Sequence, residues 1–240
     1  MKIEFGPTSV VALIGAVALG AFAGVKLFDK GVHDYIVHHP EVLMEAQEAW
    51  SKKQDEQLAQ RAKAVIRARR SEIFSDPRDP FVGPANAKVT VVQFFDYRCP
   101  HCKAEAAPAV LDLIRKYPDV KFVFKEWPIF GAPSQSAARA ALGTWQAAPG
   151  KYLGVYRALM GERDIDQAAV DRVLQAQGLD AASTEALGAT PRTARQMADV
   201  ERLAVDLNAG GTPAFIIGDT MVPGARMEQV EALIQKGRKG

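Results

Sequence analysis

The chain has 240 residues, 48% hydrophobic and 24% charged, a globular composition that excludes wholesale disorder. Its 30 Lys and Arg against 28 Asp and Glu leave a formal charge of +2, so electrostatics give no case for a nucleic-acid partner. The chain carries 2 cysteines, Cys99 and Cys102, which excludes a disulfide-rich scaffold.

Residues 10–25 (VVALIGAVALGAFAGV) carry no charge and are flanked by Lys2 and Lys26. The run is shorter than the ~20 residues of a membrane span but suits the apolar region of a signal peptide. Ala21-Phe22-Ala23 fits a small-x-small cleavage site, while Glu4 weakens the positive n-region. The segment is therefore either a leader cleaved after Ala23 or an uncleaved inner-membrane anchor. Either way the remainder crosses a membrane into the periplasm or cell envelope, where a disulfide persists.

A helix is expected from Pro40 to about Phe74. Proline suits the first helical position, Glu41, Glu45 and Glu48 come early, and Arg67, Arg69 and Arg70 come late, as the helix dipole favours. Leu43, Ala46, Trp50, Leu58, Ala62, Val65, Ile66 and Ile73 recur at roughly heptad spacing, interrupted at Gln54 and Gln57. The helix is either a solvated stalk or an arm that pairs with copies of itself; Leu43, Trp50, Leu58 and Val65 favour the arm over residues 40–74. His33, His38 and His39 read as surface histidines, since no cysteine or acid cluster completes a metal site there. Ser75 to Pro80 (SDPRDP) ends the helix, because residues before proline avoid the helical region, and marks a domain boundary.

Residues 89–96 (VTVVQFFD) read as a buried strand, followed by Tyr97-Arg98-Cys99-Pro100-His101-Cys102. A helical pattern then runs to Lys116-Tyr117-Pro118, and residues 120–127 form a second strand. This places Cys99 at a helix N-terminus, where unpaired N–H groups and the dipole stabilise an anion. Pro100 fits the first turn, where its missing N–H costs nothing. His101 is expected to add charge or a hydrogen bond to the Cys99 sulfur. Cys99 should then be a thiolate at neutral pH, titrating near ~4, and nucleophilic in disulfide exchange, with Cys102 resolving the mixed disulfide. A purely structural disulfide would close too small a loop to stabilise much, and zinc would need a second cysteine pair.

The run FFDYRCPHC resembles the active site of the DsbA branch of thioredoxin-fold proteins, and the run Gly210 to Gly218 (GGTPAFIIG) agrees. The resemblance implies an α/β thioredoxin fold. It further implies that Pro213 is cis beside the cysteines, with Thr212 presenting its backbone to an extended substrate. Residues 214–217 and 220–222 read as a hairpin turning at Gly218-Asp219, and 226–239 as a closing amphipathic helix. Helical patterns at 134–147, 152–160, 167–177 and 190–207 match the helical insertion of the DsbA arrangement, so the resemblance covers about Phe81 to Lys239. The expected organisation is a leader or anchor at 1–25, a helical arm at 26–75, and a DsbA-like domain at 76–240 with its insertion at about 130–208.

Two departures stand out. The buried acid common in the family six residues before the first cysteine is Gln93 here. Asp96 and Glu126 are candidate substitutes for relaying the Cys102 proton, although Lys125-Glu126 also reads as an exposed strand end. The N-terminal arm is more similar to oligomeric relatives of the suppressor-of-copper-sensitivity C type, which include isomerases. The resemblance therefore implies a thiol:disulfide oxidoreductase without a cofactor. It either oxidises unfolded exported proteins with a DsbB-like membrane partner, or shuffles misfolded ones with a DsbD-like donor. A chaperone or metal-binding module is the alternative of another class.

Overall fold

The computed structural model describes residues 31–239; the expected leader or anchor and its cleavage site lie outside them. No helix among the described residues is long and apolar enough to cross a membrane. The chain forms two compact units, one up to Glu56 and one from Gln57 onward.

In the first unit, residues 31–38 are helical, and helix α1 (Glu41–Ala68) begins after the break at His39-Pro40. Leu43, Met44 and Trp50 are 55%, 62% and 62% exposed, so the apolar stripe of this stretch is exposed among the described residues.

The second unit contains a five-stranded sheet in the order β1-β3-β2-β4-β5. Its strands are β1 (Phe81–Val82), β2 (Thr90–Phe95), β3 (Lys121–Glu126), β4 (Ala214–Ile217) and β5 (Thr220–Pro223). β2 and β3 run parallel, with Phe95 opposite Glu126, while β4 is antiparallel to β2 and β5 to β4. The parallel pair needs a crossover, supplied by a π-helical turn (Cys102–Ala106) and helix α3 (Ala107–Lys116). The two-residue side-chain period divides the core. Val91, Phe95, Phe122 and Phe124 enter one cluster, and Val92, Phe94, Val123 and Ile216 the other.

The insertion comprises α4 (Ala132–Ala147), α5 (Tyr152–Gly161), α6 (Gln167–Ala176), α7 (Ala181–Gly188) and α8 (Pro191–Asp206). Helices α6, α7 and α8 start at capping side chains of Asp166, Asp180 and Thr190, which accept from backbone N–H groups three residues on. α4 and α7 touch backbone to backbone. A Cβ at Gly143 would strike the Thr184 carbonyl, and one at Gly188 the Arg139 carbonyl. Helix α9 (Met227–Lys239) closes the sheet with Val230 and Ile234 buried.

The boundary expected at residues 75–80 falls inside this unit. Ile66, from α1, and Ile73 and Phe74, from helix α2 (Arg70–Phe74), are buried in the second cluster with Val92, Phe94 and Leu203. Val65 packs there too, so the far end of the stripe is covered by the domain itself. Apolar periodicity alone does not distinguish a stripe facing a partner from one facing its own core.

Candidate active site

Strand β2 delivers Asp96 and Tyr97 to the C-terminal edge of the sheet, and the chain turns directly into Cys99. Asp96 is buried and fixes that turn. Its carboxylate accepts from the N–H groups of Arg98, Ile129 and Phe130 and from the Ser134 hydroxyl, at 2.6–3.0 Å. One carboxylate thus ties the cysteine loop to the turn after β3 and to the start of α4. With all four donors committed to it, Asp96 is a structural clasp rather than a free base.

Helical backbone begins at Pro100, as the first-turn reading requires. Cys99 and Cys102 are buried free thiols. The Cys102 N–H donates to Cys99 Sγ at 3.2 Å, and the Cys99 thiol donates to the Thr212 carbonyl at 3.2 Å. The Thr212–Pro213 bond is cis, and the preceding Gly210 and Gly211 adopt φ of 73° and 145°, which favour glycine. Thus Cys99, Pro100, Cys102, Thr212 and Pro213 converge although 113 positions separate Cys99 from Thr212.

The electrostatics separate the two sulfurs. Cys99 is lowered to about 6, chiefly by a hydrogen bond from the Cys102 thiol, with Thr212 and the backbone N–H groups of Cys102 and His101 helping against burial. That is lower than an ordinary thiol but less depressed than the value near ~4 expected from the motif. Burial pushes Cys102 far up, so it holds its proton at neutral pH.

His101 keeps a charge interaction with Cys99 but is engaged chiefly elsewhere. Its ring is exposed and pairs with Glu105 at 2.7 Å, an interaction that raises its pKa more than the Cys99 charge does. Its backbone, rather than its ring, supplies the hydrogen bond toward the sulfur. The i,i+4 spacing to Glu105 places the two side chains on one helical face.

Lys125 and Glu126 are buried, contrary to the reading of an exposed strand end. β3 is an interior strand, paired with β2 through Glu126 and with β1 at Phe122 and Val123. Lys125 pairs with buried Asp79 and donates to the Glu72 carbonyl. Glu126 Oε1 accepts from the Tyr97 and Tyr152 hydroxyls at 2.9 and 2.8 Å, whereas buried Oε2 has no partner. Burial raises the Glu126 pKa well above the usual carboxylate range, making it a neutral acid. Tyr156 donates to Gln93 Oε1 at 3.2 Å and lies within electrostatic reach of both Cys102 and Glu126. Sequence reasoning missed these three tyrosines. The i,i+4 pair Tyr152 and Tyr156 has the pattern of an ordinary core face, and only their polar partners, Glu126 for Tyr152 and Gln93 for Tyr156, distinguish them.

The DSBA-like thioredoxin domain profile matches residues 90–235, and the copper resistance protein ScsC N-terminal domain profile matches 26–57. The chain is 30% identical over 177 residues to disulfide bond formation protein D of Bacillus subtilis, covering 67% of this chain and 78% of that protein. It is 31% identical over 167 residues to the Na(+)/H(+) antiporter NhaA 3 of Salinispora tropica, covering 66% of this chain but 25% of that much longer protein. Its fold is similar to Salmonella enterica Typhimurium BcfH, with a TM-score of 0.75 and 30% identity over 95% of this chain and 99% of that one.

Proposed function

This chain belongs to the DsbA-like thioredoxin-domain family of thiol-disulfide oxidoreductases, and from that premise we propose that it donates a Cys99–Cys102 disulfide to exported proteins in the periplasm or cell envelope. The observation that carries the direction is the lowered Cys99 pKa beside a strongly raised Cys102. Only the reduced pair contains a thiolate, so only the reduced form gains from that stabilisation, and the disulfide is given away more readily.

The chemistry needs no cofactor. A substrate thiolate attacks Cys99 Sγ, the Cys99–Cys102 bond breaks, and Cys102 leaves and takes up a proton. A second substrate thiolate attacks the substrate sulfur of the mixed disulfide, and Cys99 leaves as its stabilised thiolate. Two electrons pass from two substrate thiols to the pair, and a quinone-linked membrane partner removes them. Glu126, neutral and with Oε2 unpartnered, is the group we assign to supply the Cys102 proton. Thr212 offers its backbone to the substrate strand. Export rests on the uncharged run 10–25, acting as a cleaved leader or as an anchor.

A second reading, an oligomeric isomerase held reduced by a membrane donor, is favoured by the match of residues 26–57 and by exposed Leu43 and Trp50. Reaction of the oxidised protein with a two-cysteine peptide tests the core of both readings. Cys99→Ser should abolish exchange. In Cys102→Ser, an activated mixed disulfide on Cys99 should persist, because no resolving thiol remains. Normal function of Cys102→Ser would instead favour a chaperone or metal-capture module.

A further inference from the structure

A cleft of about 310 Å³ flanks the dithiol, lined by Arg98, Pro100, Lys103, Arg163, Asp164 and Ile165. Arg98 immediately precedes Cys99, Pro100 follows it, and Lys103 follows Cys102, so the cleft is built on the shoulders of the reactive pair. It carries three cations and one carboxylate. Among the described residues, neither Arg98 nor Lys103 has an ion-pair partner. The Arg98 guanidinium donates to the Phe130 carbonyl at 2.8 Å, and the half-buried Lys103 ammonium to the Arg163 carbonyl at 3.4 Å. Arg163 and Asp164 are both exposed, 97% and 87%, and meet only at 3.8 Å, so the lining keeps an excess of two positive charges. A neutral carbonyl is a weaker partner for a cation than a carboxylate, whose charge-assisted hydrogen bonds are roughly twice as strong.

We infer that this cleft selects substrate cysteines flanked by Asp or Glu, the acidic side chain bridging Lys103 and Arg163 while the peptide sulfur meets Cys99. This deepens the proposed exchange reaction and rests on it. Burial lowers the Lys103 pKa, with Asp164 and Glu162 opposing the effect, as expected of an ammonium partly withdrawn from water. The cleft would concentrate an acidic segment at the dithiol and repel a basic one.

The test compares oxidation rates of two otherwise identical two-cysteine peptides, one with Glu and one with Lys beside the cysteines. Each is measured with the wild-type protein and with the Lys103→Gln, Arg163→Gln double variant. The ratio of rates within each protein cancels any general change in Cys99 reactivity. The wild type should favour the Glu peptide by about fivefold at low salt, the scale of one half-buried and one exposed ion pair. The preference should shrink toward unity at about 1 M salt, where screening acts within ~3 Å, and in the double variant at low salt. Equal wild-type rates, or a full preference retained in the double variant, overturn the inference while leaving the exchange reaction intact. Failure of the wild-type protein to oxidise either peptide overturns both.

Discussion

Cys99 and Cys102 are three positions apart, yet one titrates low and the other high. Cys99 collects donors from Cys102 and the backbone of the first turn, whereas Cys102 is enclosed by apolar groups. With the Cys99 midpoint at about 6, thiolate stabilisation is full above about pH 8.5 and is lost as pH falls through 6. At pH 7 about one pKa unit is realised, ~1.4 kcal/mol, making the disulfide ~30 mV more oxidising than one with an ordinary thiol. Ultraviolet titration of the reduced protein should give a single thiolate step near 6, and an ordinary midpoint near ~8.5 would remove the basis for disulfide donation. Because the His101 ring is committed to Glu105, His101→Ala should raise that midpoint by less than about one unit. A larger rise would place the ring, rather than the backbone N–H groups, in command of the sulfur. Glu126→Gln removes a titratable proton while keeping an acceptor for Tyr97 and Tyr152. It should slow peptide oxidation by at least about tenfold and flatten its pH profile. An unchanged profile would reduce Glu126 to a structural acceptor.

At the scale of elements, the clasp at Asp96 holds together what the chain order separates. Three backbone N–H groups and the Ser134 hydroxyl converge on one buried carboxylate, so Asp96→Ala strands donors on two connections at once. A loss of about 3 kcal/mol in urea unfolding is expected; a loss under ~1 kcal/mol would mean that water replaces the carboxylate. Strands β2 and β3, the hairpin and four insertion helices were legible because each has an apolar period bounded by Gly, Pro or a capping residue. Helix α7 was not, since Ala181–Gly188 is short and dominated by small residues, and glycine packing holds it in place. The cysteine motif and Thr212-Pro213 were legible as local strings. The Glu126 cluster was not, because Lys125 and Glu126 are enclosed by residues remote in sequence, Glu72 and Asp79 around the first and Tyr97 and Tyr152 around the second.

At the scale of the whole molecule, α1 serves two purposes that a single periodic stripe conceals. Its last turns bury Ala62 and Ile66 in the domain, whereas Leu43 and Trp50 remain uncovered. Those uncovered side chains should mediate self-association. Light scattering should therefore report an oligomer for the full chain and a monomer for the Leu43→Glu, Trp50→Glu double variant; two monomers would make the stretch a stalk. Direction of electron flow is the property that joins the sulfur chemistry to the cell. Rapid acid quenching of cells followed by alkylation of free thiols reads it directly from the resting state of the Cys99–Cys102 pair. A disulfide donor should be trapped predominantly oxidised, with neither cysteine alkylated, whereas a predominantly alkylated pair would contradict disulfide donation and identify a protein kept reduced for isomerisation.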